Sequence, residues 1–573
     1  MNVTTETKLG TIMRYAPARE LVQREFSSLP KSPYIEMLRM LSLRDLTNML
    51  GVPAAEVERL IAALADVPEP APRDVLVSID EAYEGTEVAA GSARPTIPAS
   101  TPLWGVFEVV LAGPSHGNPY VAVRLGASFT CGDLAVEVLG FYDGDGVYRV
   151  RFMPEFEGEW HFVTSSNARS LAGIAGSFTC TSAPPGAHGP VRVAGTFHFA
   201  HADGTPFRPI GTTVYGLTHQ SDVLEAQTFA TLAAAPFNKV RMCVFPKWYP
   251  FNMVEPQYHA YALHDDGTLD VARFNPEFFH HLEQRLRELA ESGIEADLIL
   301  FHPYDKWGYS DMPPSADDLY LRYVVARLGA FANVWWSLAN EYDFMYDKTL
   351  PDWQRFGEIV SAADPHHHLL GVHNGLQVYD HSLPWVTHCS IQSQAGSEPE
   401  AVATLRDRWN KPVMIDECCY EGDIEFGFGN LTGEDMTRRF WEATLRGGYA
   451  THGECFLDPD DVLWWGKGGA LHGTSPARIA FLRAVIESAP GPLDPVLSRR
   501  GYATAGAGKG WYLTYNSNRQ PARRTLEVPA GDYRVELLDT WNMTIEDLGV
   551  HRGEAEVEIP ARPYLALRMT TVD

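Results

Sequence analysis

The chain has 573 residues, of which 45% are hydrophobic and 21% charged, with a formal net charge of −27. That length exceeds what a single core can serve and implies about three or four globular domains. The acidic balance argues against nucleic acid and anionic membranes as partners, because both require a basic face.

The N-terminus, Met1-Asn2-Val3-Thr4-Thr5-Glu6-Thr7, lacks a basic segment followed by an apolar one, so no signal peptide is expected. No apolar run reaches the length of about 18 residues that spans a bilayer. The seven cysteines are irregularly spaced, and Cys418 adjoins Cys419. Free thiols in a reducing, cytoplasmic compartment are the expectation.

Residues 1–100 read as a helical segment and a linker. Leucines at helical spacing run through 34–41 and 42–50, Gly51 is placed to stop the helix, and Pro53 opens the next one over 54–64. Prolines 68, 70 and 72 mark the linker. Over 101–188, short alternating runs at 107–111, 121–125, 135–139, 147–152 and 160–163, separated by turns such as Asp143-Gly144-Asp145-Gly146, predict an immunoglobulin-like β-sandwich. Over 189–490 the pattern becomes strand then helix, with strands expected at 209–215, 239–245, 295–301, 333–339, 369–372, 388–392, 412–416 and 453–457. Eight such units specify an α/β fold, a (β/α)8 TIM barrel, whose chemistry sits at the carboxyl ends of the strands. Residues 491–573 return to short strands, at 510–515, 523–528, 533–539, 554–559 and 564–569, and predict a small C-terminal β-sandwich.

Two strand ends carry carboxylates. Val334-Trp335-Trp336-Ser337-Leu338-Ala339 runs into Asn340-Glu341, and Lys411-Pro412-Val413-Met414-Ile415-Asp416 runs into Glu417. A glycosidic oxygen needs a proton as it departs, and the oxocarbenium-like centre it leaves needs a carboxylate on its other face. Asn-Glu ending the fourth strand, with Pro-x-x-x-x-Glu ending the seventh, resembles the clan A glycoside hydrolases. The order of β-sandwich, barrel and small C-terminal β domain resembles a subgroup of poorly characterised bacterial glycosidases, over roughly residues 100 to 570. The resemblance implies a retaining hydrolase with Glu341 as acid/base, Glu417 as nucleophile and Asn340 on the hydroxyl beside the anomeric carbon. Asp416 competes for the nucleophile's place, but strand alternation turns neighbours to opposite sides and the family spacing selects Glu417.

Further strand-end and loop residues are candidates for binding sugar. Arg241 would hydrogen-bond the nucleophile, as the matching Arg does in the clan. His302 ends the third strand, His388 and Gln392 lie on the sixth, and Tyr215 and His219 follow the first. Glu454 is expected to end the eighth, as a terminal-subsite residue or as a partner of Arg241 or His452. Trp248, Trp307, Trp464 and Trp465 sit in loops where indole faces can pack on sugar rings. For each, a purely structural hydrogen bond or packing role is the competing expectation. His366-His367-His368 falls in a loop on the barrel's far end, and Asp458, Asp460 and Asp461 read as a solvated acidic loop, so neither metal nor other cofactor is expected. The expected function is exo-cleavage of short imported oligosaccharides or glycosides by a homo-oligomer. Endo-cleavage of polysaccharide and non-catalytic carbohydrate binding are the alternatives.

Overall fold

The computed structural model describes all residues except 26–37, 39–40, 69–78, 346, 393–397, 459–461, 509 and 573. The helix expected over 34–41, the linker over 69–72, and Asp460 and Asp461 lie outside the described residues or largely so. The helix Leu43–Leu50 is bounded as its sequence dictates. Ser42 and Asp45 form a reciprocal capping box, and Gly51 closes the last turn with φ +69°. The helix Ala54–Ala65 follows and buries Val57, Leu60 and Leu64.

The N-terminal β region joins two layers through one long strand, Leu134–Tyr142, which pairs with Leu125–Cys131 on one side and Val147–Phe152 on the other. Phe107, Phe129, Phe152, Trp160, Phe162 and Phe178 fill the space between them. The run at 121–125 is not a strand. Pro119 starts a helical turn, Pro119–Ala122, and the strand begins only at Leu125. Proline at the first helical position favours that turn, which outweighs the alternating valines.

Eight parallel strands follow: β1 (Ile210–Thr213), β2 (Lys239–Cys243), β3 (Glu295–Phe301), β4 (Val334–Ala339), β5 (Leu370–Gly371), β6 (Cys389–Gln392), β7 (Val413–Glu417) and β8 (Tyr449–His452). They hydrogen-bond in the order β5-β4-β3-β2-β1-β8-β7-β6. A bridge between His373 and Ser390 and a bond from Thr387 N to Leu370 O (2.9 Å) close the ring. This is an α/β barrel with β-rich regions before and after it. The eighth strand lies earlier than expected, because Gly453 interrupts the run. Glu454–Cys455 instead pairs with Glu421–Gly422 in a separate two-stranded ribbon.

The barrel interior is charged where TIM barrels are usually aliphatic. Lys239 Nζ lies 2.6 Å from Asp297 and 2.9 Å from Asp416, with all three residues buried. Below this layer Val191, Phe199, Phe207, Trp335, Leu369 and Met414 seal the amino-terminal end. Phe199 and Phe207 belong to a three-stranded sheet preceding β1. At the other extreme of the chain, six strands from Asp494 to Thr571 form an antiparallel sheet, faced by a second ribbon of Arg523–Thr525 and Glu556–Glu558. Among the described residues no helix is long and apolar enough to cross a membrane.

Candidate active site

The carboxyl ends of the barrel strands converge on one pocket of about 670 Å³, counting its open mouth. Glu341 and Glu417 both line it. Glu341 follows β4 with φ +52°, the left-handed region that non-glycine residues rarely occupy. A single-turn helix, Tyr342–Phe344, starts there. On β7 the register slips: Ile391 pairs with Ile415, but Gln392 pairs with Glu417. Simple alternation therefore fails. Asp416 points down onto Lys239, Ser390 and Thr451, while Glu417 faces the pocket.

The two glutamates are tied to one another through shared partners. Tyr215 donates its hydroxyl to Glu417 Oε1 and lies 3.1 Å from Asn340 Oδ1. Arg241 holds the same two atoms, Glu417 Oε1 at 3.3 Å and Asn340 Oδ1 at 3.2 Å. Asn340 Nδ2 donates to Glu341 Oε2 at 3.1 Å, Gln392 Nε2 donates to Glu341 Oε1 at 3.1 Å, and Tyr304 donates to Glu341 Oε2. Burial, then the Glu417 charge, raises the Glu341 pKa to about 7. Burial pushes Asp416 up as well, but the Lys239 and Arg241 charges overcome it and hold that carboxyl far below its usual range. The site thus sets a carboxyl with a raised pKa, Glu341, beside one paired with the Arg241 guanidinium, Glu417, an asymmetry of surroundings that suits acid catalysis opposite a carboxylate.

Of the residues singled out from sequence, Tyr215, Arg241, Asn340, Glu341, Gln392, Glu417 and Trp465 come together here. Trp248 and Trp307 stand apart from it, edge to face at 5.8 Å, with Lys306 over Trp248. The others lie elsewhere, for identifiable reasons. His219 and His302 are buried and bond the backbone carbonyls of Cys243 (3.2 Å) and Phe245 (3.1 Å). His388, expected on the sixth strand, immediately precedes β6 and packs on Phe199 and Trp335 at the sealed end. Trp464 donates to Thr212 Oγ1 (2.8 Å) in the core outside the barrel strands. Glu454 is bound by the backbone N–H groups of His472 and Gly473 at 2.5 and 2.8 Å.

Sequence reasoning missed other pocket residues. Lys247 follows β2, and its ammonium lies 3.7 Å from the Tyr215 ring centre, 4.4 Å from Tyr304 and 5.1 Å from Trp465. Among the described residues it has no carboxylate within 4 Å. Tyr249, Tyr420 and Phe428 complete an aromatic wall. The loops at 247–249 and 304–307 were visible as aromatic segments, but which side chain turned inward was not. The His366–His368 segment does sit at the sealed end, where His366 accepts from Met153 N (3.3 Å) and His368 binds Asp364 (3.0 Å).

The family model for an apiosidase-like catalytic domain matches residues 194–454. Two domains of unknown function, DUF5060 and DUF5605, match 100–167 and 502–570. Among solved structures, a protein named as a candidate glycoside hydrolase from Bacteroides vulgatus ATCC 8482 is 38% identical. That match covers 83% of this chain and 100% of that one, with a TM-score of 0.79. A glycoside hydrolase family 5 protein from the same organism shares the fold at 15% identity and a TM-score of 0.54, over 67% of this chain and 93% of its own. No curated protein matches the chain.

Proposed function

The chain belongs to the glycoside hydrolase family of that Bacteroides vulgatus protein, and from that premise we propose a retaining exo-glycosidase in which Glu417 is the nucleophile and Glu341 the acid/base. One observation carries this reading. The two carboxyls share a pocket and are linked through Tyr215 and Asn340, yet their surroundings differ in charge. In the first step Glu417 Oε attacks the anomeric carbon as the glycosidic C–O bond breaks, and the Glu341 proton passes to the departing oxygen. In the second, Glu341, now a carboxylate, takes a proton from water as that water displaces the Glu417 ester. Arg241 and Tyr215 hold the Glu417 carboxylate in line for attack. Asn340 would meet the hydroxyl beside the anomeric centre. Lys247, Trp465 and the strap that follows β7, carrying Tyr420 and Phe428, wall the pocket. Such a wall favours a terminal sugar over a long polymer threaded through an open cleft.

The test is a panel of aryl glycosides, apiosides included because of the catalytic-domain match, with product configuration followed by NMR. Net retention is expected, and net inversion would refute the double displacement. Glu341→Gln should lower kcat by about 10²–10⁴-fold on substrates with poor leaving groups and much less on dinitrophenyl glycosides, which leave without a proton. Glu417→Ala should abolish turnover of both, with azide restoring bond cleavage and giving a glycosyl azide of inverted configuration. Release of internal fragments from oligosaccharides would favour the endo-acting alternative.

A further inference from the structure

A second cluster of titratable groups lies beyond the catalytic pair, where the strap after β7 meets the segment after β8. Glu421, His452 and Glu454 are each at most 1% exposed, and one ligand-capable atom from each lies within 4.8 Å of the other two. The two carboxylates are pinned from one side by four consecutive backbone N–H groups. His472 and Gly473 donate to Glu454 at 2.5 and 2.8 Å, and Thr474 and Ser475 donate to Glu421 at 2.7 and 3.0 Å. A side chain at position 473 would collide with both carboxylates, so only glycine lets the loop approach this closely. These bonds use some of the carboxylate lone pairs and fix the direction of the rest.

His452 supplies the second observation. Its Nε2 is fully buried and has no hydrogen-bond partner among the described residues. Glu454 Oε2, at 3.9 Å, is too far for a hydrogen bond. The other ring nitrogen, Nδ1, lies 3.1 Å from Thr212 Oγ1, which also accepts from Trp464 Nε1 at 2.8 Å. A hydroxyl oxygen can accept twice. Thr212 can therefore hold the tautomer in which Nδ1 carries the proton and Nε2 presents a lone pair. A metal-ligating histidine is held in this way by a partner of its second nitrogen. An orphaned imidazole nitrogen in a buried space is destabilising unless something occupies it.

We propose that Glu421, His452 and Glu454 bind a first-row divalent transition cation, with zinc the best match to one imidazole and two carboxylates. Such an ion would have a structural role. The ribbon joining Glu421–Gly422 to Glu454–Cys455 anchors the strap whose Tyr420 and Phe428 wall the pocket. A cation across its two glutamates would fix that wall without touching the reacting atoms.

The test begins with metal analysis of the full-length protein, expressed in zinc-supplemented medium and desalted. About one zinc per chain is expected. Chelator dialysis should lower Tm, and zinc chloride should restore it. Glu454→Gln keeps the shape and the N–H contacts at one oxygen, and should lose both the stoichiometric zinc and the zinc-dependent rise in Tm. Metal retained equally by Glu454→Gln would place it at another site, such as the more exposed His472 and Asp458 pair, and would overturn the assignment. So would a wild-type protein without stoichiometric metal whose Tm ignores zinc. Should Glu454→Gln fail to fold, the wild-type stoichiometry and Tm response still decide. No part of this readout depends on glycosidase turnover.

Discussion

At the scale of single residues, the decisive feature is the contrast between two glutamates that share one pocket. Glu341 is raised to about 7, by burial first and by the Glu417 charge second. If Glu341 is the proton donor proposed above, it works below that value, so kcat/KM should fall as pH rises through about 7, and a pH–rate profile will show whether it does. Lys247 opposes the rise, since its positive charge favours the ionised form of Glu341. Lys247→Met should therefore move the alkaline limb to higher pH. A limb that stayed in place would mean Lys247 does not act on Glu341. The sequence showed both glutamates, because each follows an apolar run at the right interval. It did not show Lys247, Tyr304 or Tyr420, because loop side chains follow no period that tells inward from outward.

At the scale of elements, β2 is the strand that organises the barrel interior. Lys239 and Arg241, two positions apart, both point inward. Lys239 neutralises Asp297 and Asp416, while Arg241 reaches up to Glu417. Removing one member of a buried charge cluster costs about 3–5 kcal/mol, because the partners are left unpaired. Lys239→Met should destabilise by that order in a urea titration. It should also impair catalysis through Arg241, whose Nε lies 3.7 Å from Asp297. The strap after β7 and the β8 boundary were harder to read. Tyr449–His452 pairs with β1 and β7, partners that no local pattern reveals. The strand Thr544–Arg552 was not anticipated either, since its residues are exposed or half-exposed and show no clear alternation.

At the scale of the whole molecule, the β-sandwich is fastened to the barrel by buried ions. Arg151 of the sandwich lies 2.7 Å from Glu283, and Arg327 bridges Glu283 (2.5 Å) to Asp143 (2.6 Å). Burial pushes both acids up, but Arg151 and Arg327 more than offset it for Glu283, and Arg327 with His280 and Arg149 does so for Asp143, so both pKa values end below normal. A carboxyl with a depressed folded pKa contributes stability above its unfolded value of about 4 and loses it as pH falls through the folded value. Tm should thus drop steeply below about pH 4. Glu283→Gln should lower the plateau at neutral pH and flatten that drop. An unchanged acid limb in scanning calorimetry would show that the joint contributes nothing.

The sequence by itself determined the barrel, its flanking β regions and two glutamates at strand ends. All three are written locally, in hydrophobic period, in turn residues and in carboxylates at strand ends. Only the tertiary structure decided which way a loop side chain turns, that Asp416 is held in the interior by Lys239, Ser390 and Thr451, and that His388 and Trp464 lie away from the pocket. Those outcomes depend on strand register and on charges brought together from residues far apart in the chain, such as Lys239 and Asp416. No window along a single chain contains that information.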